Sequence, residues 1–257
     1  MDGLSRIKFV AWRWAAASKI GTSHIRNGER LQDAYAVSVA GDDSVFAIVS
    51  DGAGSAEFGA HGAWLVCRML SFYARDWLRD NRHPPSDEVL LDWIDNIRDR
   101  ITMIAERRGS KPRQFAATLA AVISTPVETL TLHIGDSAVV GRRCGEWDVL
   151  CWPENGEYAS TTFFVTDDPE PRLNIQRFTP EHDAFALFSD GIGDLALSHV
   201  DQSASPQFFN PMLRPVDNAD AKGRLPELSL KLGNYLAGPD ICERTDDDKT
   251  LILISGA

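Results

Sequence analysis

Cysteine is scarce in this 257-residue chain: Cys67, Cys144, Cys151 and Cys242 are widely spaced, with no Cys-x-x-Cys pair and no histidine at zinc-finger spacing. That excludes a small disulfide framework and a zinc finger, and it predicts reduced thiols in a cytoplasmic protein. Long apolar runs are missing as well. The stretch from Phe9 to Ala17 is short and interrupted by Arg13, so no secretory leader is expected, nor a membrane span, which needs about 18 or more apolar residues. A basic excess is also absent. The 26 Lys+Arg face 37 Asp+Glu, a formal net charge of −11, which argues against a nucleic-acid partner. There is no internal repeat, no low-complexity tract and no Gly-x-Ser-x-Gly nucleophile elbow. At 44% hydrophobic and 25% charged residues, the composition is that of an ordinary globular protein. One domain over residues 1–257 is expected, with a core large enough to need no staples.

Short apolar or alternating runs ended by Gly, Pro, Asp or Ser predict strands at Trp12–Lys19, Val45–Ser50, Phe115–Ser124, Thr129–Ile134, Val139–Arg143, Trp147–Trp152, Ala184–Ser189 and Thr250–Ser255. Between Ser55 and Asp80, apolar residues at 60, 63, 64, 67, 70, 74, 77 and 78 keep the spacing of one buried helix face. A second helix starts after Pro84-Pro85, with Ser86 as N-cap. It carries Leu90, Trp93, Ile97, Ile101 and Ile104 on one stripe and stops at Gly109. Leu225–Leu236 reads as a further helix. Residues 153–179 hold three prolines and no clean period, which predicts an irregular, flap-like insertion; 201–224 is similarly broken. The tryptophans, Trp12, Trp64 and Trp93 among them, are expected mainly in the core. Clustered strands, clustered helices and strands again imply an α+β fold with antiparallel sheets.

Two distant segments share a pattern: Phe46-Ala-Ile-Val-Ser-Asp51-Gly52-Ala-Gly and Phe185-Ala-Leu-Phe-Ser-Asp190-Gly191-Ile-Gly. Each is a buried-type strand that delivers an Asp, followed by a Gly expected to let the chain turn tightly. Further carboxylates fall at strand ends in Gly135-Asp136-Ser137, in Asp246-Asp247-Asp248-Lys249-Thr250 and in Gln32-Asp33-Ala34. Any one of these is ordinary turn chemistry. Together, if the strand ends converge, they would crowd negative charge that only cations could hold ionised. All-oxygen sites suit Mg2+ or Mn2+ rather than zinc.

In order along the chain, Gln32-Asp33, Ser50-Asp51-Gly52, Ala117-Thr118-Leu119, Gly135-Asp136-Ser137, Ser189-Asp190-Gly191 and Asp247-Asp248-Lys249-Thr250 resemble the motifs of the type 2C, metal-dependent Ser/Thr protein phosphatases, over about residues 20–255. The resemblance implies a four-layer α-β-β-α sandwich of two antiparallel β-sheets flanked by helices. It implies hydrolysis of phosphoserine and phosphothreonine by metal-bridged water. Two central Mg2+ or Mn2+ ions would be held by Asp51, which bridges them, the Gly52 carbonyl, Asp190 and Asp247. Gln32 would stand where many members place a Glu that reaches an ion through water. Asp33 would orient water, Asp136 and Asp190 would form a weaker third site, and Thr118 and Asp248 would support the ligands from behind. The partners implied are a phosphorylated protein substrate and a cognate Ser/Thr kinase, the protein itself being a cytoplasmic monomer.

Two positions depart from the family pattern. The phosphate-binding arginine falls at Gly28; Arg30 is the candidate replacement and Arg26 the alternative, with a solvated loop charge as the competing reading for both. The histidine that follows Asp-Gly in many members is Ala53, and His61 reads as an ordinary helix residue. The basic stretch Arg107–Arg113 reads as a solvated helix end, with docking of an acidic partner as the alternative. These departures keep a second function open: a catalytically weak member that binds a phosphoprotein or kinase.

Overall fold

A computed structural model describes residues 11–41, 43–155 and 162–256. Phe9 and Val10 of the apolar N-terminal stretch, and residues 156–161 of the expected flap, lie outside them. The chain opens with β1 (Arg13–Lys19), α1 (Thr22–Asn27), β2 (Ala34–Ala40) and β3 (Ser44–Ser50). Two long helices follow, α2 (Gly59–Asp80) and α3 (Asp87–Arg107), then a 3-10 turn at Pro112–Phe115. Next come β4 (Leu119–Ser124), β5 (Thr129–Ile134), β6 (Ala138–Arg143), β7 (Glu146–Cys151), β8 (Asn174–Phe178) and β9 (Ala184–Phe188). The last part holds α4 (Asp190–Ala196), β10 (Leu197–Ser198), β11 (Ser203–Ala204), α5 (Pro206–Asp217), β12 (Gly223–Arg224), α6 (Pro226–Leu236), α7 (Pro239–Cys242) and β13 (Lys249–Ser255).

Two large sheets form, one in the order β12-β1-β13-β9-β6-β7 and the other β2-β3-β4-β5-β8. Every pairing is antiparallel except the two-residue contact of β12 with β1. The strands read as unbroken apolar runs because both of their faces are covered. In β3, Val45, Ala47 and Val49 face the other sheet while Phe46 and Ile48 face α2 and α3. In β13, Ile252 and Ile254 face inward between the sheets while Leu251 and Leu253 pack under the late helices. Three apolar layers result, and the four-layer α-β-β-α order follows.

Several boundaries differ from the sequence expectation. Helix α2 begins at Gly59, not Ser55, because the preceding loop is tied to the 3-10 turn: Ala53 N–H donates to Ala116 at 2.9 Å and Phe58 N–H to Gln114 at 2.8 Å. The same ties hold Phe115–Thr118 out of β4. Helix α5 lies inside the stretch read as broken; Ser205 caps it and Pro206 opens it, but Pro211 and Pro215 hide its pattern. The segment read as irregular contains β8, which pairs with β5. Trp64 departs from the core expectation and is 48% exposed.

The glycines after Asp51 and Asp190 serve close packing rather than a left-handed turn. Neither has a positive φ. A Cβ on Gly52 would lie 2.3 Å from Gly59, and one on Gly191 would lie 2.0 Å from the Asp248 carbonyl oxygen. None of the four cysteines is paired.

Candidate active site

Strand ends from both sheets deliver acids to one cavity of about 490 Å3. Asp51 follows β3 of the five-stranded sheet, and Asp190 follows β9 of the six-stranded one. Asp136 sits in the turn from β5 to β6, which crosses between the sheets, and Asp247 precedes β13. All four line the cavity, with Gly52 and Thr118. Carboxylate oxygens of Asp51, Asp136 and Asp190 lie within 4.8 Å of one another. At an effective dielectric of about 20, a pair of like charges at that distance repels by roughly 3.5 kcal/mol, and a closer pair by more.

The acids titrate high as a result. Burial, then the charges of Asp33, Asp190, Asp136 and Asp247, hold Asp51 well above the usual carboxylate range. Asp190 opens toward solvent, yet the protein packed around it, then Asp136 and Asp247, push it up to about 7. Burial also raises Asp136. Asp33 is driven by burial to about 6, against hydrogen bonds that favour its charge: Ser189 and Thr250 hydroxyls each donate to its Oδ2 at 2.7 Å. Oδ1 of Asp33 and Oδ1 of Asp136 are buried without a hydrogen-bond partner. Orphaned carboxylate oxygens in an all-oxygen cluster fit hard divalent cations.

Around this cluster the supporting groups are hydrogen-bonded in series. Thr118 Oγ1 accepts from Asp51 N–H at 2.9 Å and lies 3.2 Å from Ser137 Oγ, while Ser50 Oγ donates to the Thr118 carbonyl at 2.6 Å. Asp248 turns away from the cavity: its carboxylate accepts from the backbone N–H of Gly21 and of Gln32, each at 2.6 Å. It thereby clasps the loop that carries Gln32 and Asp33 to β13. Gln32 is buried, and with its amide nitrogen turned inward it donates to the carbonyls of Gly52 at 2.8 Å and Ala53 at 3.3 Å.

The cationic candidates fall elsewhere. Arg30 is exposed and does not line the cavity; Arg26, on α1, pairs with Asp246 at 2.8 Å. His61 packs against Trp64 and Phe115, outside the cavity. Two basic residues that sequence reasoning did not place there do line it, His24 and Arg113. His24 rides on α1, a helix of six residues too short to show a period. Arg113 lies on the 3-10 turn, beyond the helix end to which its neighbours Arg107 and Arg108 belong.

Fold and site define a hydrolytic centre for hard cations, built at the seam of a two-sheet sandwich. The chain belongs to the protein phosphatase 2C family, whose profile matches residues 20–229. It is similar to serine/threonine-protein phosphatase 3 of Escherichia coli (strain K12), with 36% identity over 253 residues, covering 95% of this chain and 98% of that protein. Among solved structures, the serine/threonine phosphatase Stp1 from Staphylococcus aureus aligns with a TM-score of 0.62 at 14% identity, covering 94% of each chain. The catalytic domain of the serine/threonine phosphatase PstP, in complex with two manganese ions, aligns with a TM-score of 0.61 at 19% identity, covering 95% of this chain and 98% of that one. At these identities the structural likeness is one of fold.

Proposed function

We propose that this protein is a Mg2+- or Mn2+-dependent phosphatase of phosphoserine and phosphothreonine in proteins. The convergence of Asp51, Asp136, Asp190 and Asp247 on one cavity, with Oδ1 of Asp136 orphaned there, carries the reading. Asp51, the Gly52 carbonyl, Asp190 and Asp247 would hold two ions, with Asp136 and Asp190 serving a third. When bound, such ions act as Lewis acids that lower the pKa of water and neutralise phosphoryl oxygens. The chain's own part is orientation. Asp33 has one oxygen held by two hydroxyls, whose hydrogen bonds favour its charged form, and the other without a partner, so that it can align water and accept its proton. Thr118 fixes the backbone of Asp51, and Asp248 fixes the loop of Asp33.

Signalling in the cytoplasm opposite a cognate Ser/Thr kinase, as a monomer, suits this activity. Four unpaired cysteines support a reducing compartment. No helix among the described residues is long and apolar enough to cross a membrane. The competing reading, a weakly catalytic phosphoprotein binder, draws on the Gln32 amide that can occupy the Gly52 carbonyl. Hydrolysis of a phosphothreonine peptide decides between them. Turnover lost on chelation, restored by Mn2+ and absent in Asp190→Asn supports the phosphatase; tight peptide binding without turnover in Mn2+ supports the binder.

A further inference from the structure

The cation that the family pattern would put at position 28 has a substitute on a different element. We propose that Arg113, stacked on Phe164, grips the phosphoryl group of the substrate; this rests on the phosphatase reading and assigns its phosphate contact. Of the two basic residues on the cavity wall, His24 stands between two carboxylates, although its Nδ1 makes no hydrogen bond. Its Nδ1 lies 2.9 Å from Asp248 Oδ1 and its Nε2 lies 3.4 Å from Glu29 Oε2. Arg113 has no carboxylate partner among the described residues, only a ring: its guanidinium centre lies 4.6 Å from the centroid of Phe164. Stacking occupies the face of the guanidinium and leaves its N–H edges free for a planar, two-pronged contact.

Both halves of the stack are anchored to the acids. Phe164 is 7% exposed; its N–H donates to Asp167 Oδ2 at 2.8 Å, and Val165 N–H donates to the Ala117 carbonyl at 2.9 Å, next to Thr118. The turn that carries Arg113 is joined to the loop after Asp51 by the Ala53–Ala116 and Phe58–Gln114 backbone bonds. Glu57 N–H adds a bond to Gln114 Oε1 at 2.9 Å. The side chain therefore starts from a base fixed relative to Asp51, and the phosphate dianion is the ligand that its free fork matches.

The test compares wild type, Arg113→Ala and Arg113→Lys in Mn2+ by phosphothreonine-peptide kinetics, and by calorimetric titration with inorganic phosphate. Arg113→Ala is expected to raise KM and the phosphate Kd about ten- to a hundredfold, from the loss of a charged bidentate contact. Mn2+ affinity and Tm should stay near wild type. Arg113→Lys keeps the charge without the fork and should fall between; it carries the comparison if the alanine variant does not fold. Wild-type KM and phosphate affinity in Arg113→Ala, or the loss appearing in Arg26→Ala or Arg30→Ala, would overturn the proposal. A wild type that hydrolyses nothing would refute the phosphatase reading while the phosphate titration still judges Arg113. Phosphate bound by wild type and not by Arg113→Ala would then uphold it; equal binding, or none to either, would overturn it.

Discussion

Replacing Asp51 by asparagine removes one negative charge from a place where Asp33, Asp136, Asp190 and Asp247 all press on it. Without metal, that charge opposes the fold. Asp51→Asn is therefore expected to be more stable than wild type by about 1–3 kcal/mol in chelator at pH 8. The same variant should lose a hundredfold or more of its Mn2+-dependent turnover. Urea unfolding in chelator and peptide hydrolysis check the two halves; a destabilised, active variant would refute both. Asp51, Asp136 and Asp190 were legible in the sequence because each follows a strand beside a small residue, a local pattern, and Asp247 because it lies in the acidic run 246–248 just before the last strand. His24 and Arg113 were not, since a basic side chain on a short helix or turn looks the same whether it faces a cavity or bulk water. The glycine of each Asp-Gly pair was visible too, but its reason was not. Close approach of a distant backbone, as at Gly191 and Asp248, leaves no mark in the neighbouring residues.

At the scale of elements, the 3-10 turn and α2 depend on each other. A Cβ on Gly62 would lie 2.0 Å from the Phe115 carbonyl oxygen. Gly62→Ala would favour the isolated helix by about 1 kcal/mol, but the collision must push the turn away. A net destabilisation of about 1–3 kcal/mol is expected, measured by urea unfolding. Because the turn also carries Arg113, the peptide KM should rise in the same variant. Long periodic elements such as α3, whose Leu90, Ile97 and Ile101 are fully buried, could be read directly. Helix α5 could not, because proline at 211 and 215 is a breaker by every local rule. Its apolar face, Phe209, Leu213 and Val216, is nonetheless buried on the six-stranded sheet, and tertiary packing prevailed over local propensity.

For the whole molecule, the raised carboxylates set a pH dependence with a definite sign. A carboxyl whose folded pKa exceeds its unfolded one binds more protons when folded, so stability falls as pH rises between the two values. For Asp33 and Asp190 that window runs from the ordinary carboxylate range up to about 6 and about 7. His61, His133 and His182, all lowered by burial, act oppositely and withdraw stability as pH falls through about 6.5. The difference between wild type and Asp51→Asn isolates the acids. In chelator, the variant's advantage in Tm should grow from pH 5 to pH 8, and Mn2+ should reverse it at pH 8. An advantage independent of pH would contradict the crowding seen in the cavity. The layer order was available only through the resemblance, since periodicity shows that a strand is covered on both faces but not by what.

Asp51 and Asp190 belong to different sheets, and the layer between those sheets is made of side chains such as Ala47, Val122 and Ile252. The spacing of the acids is thus a caliper whose jaws are the two sheets and whose setting is the thickness of that layer. Thinning it well away from the acids, as in Val122→Ala, should shift Mn2+ affinity measured by calorimetry although no ligand has changed. A smaller cut in the outer layer, Ile101→Val on α3, should lower stability by about 0.5–1.5 kcal/mol and leave the affinity alone.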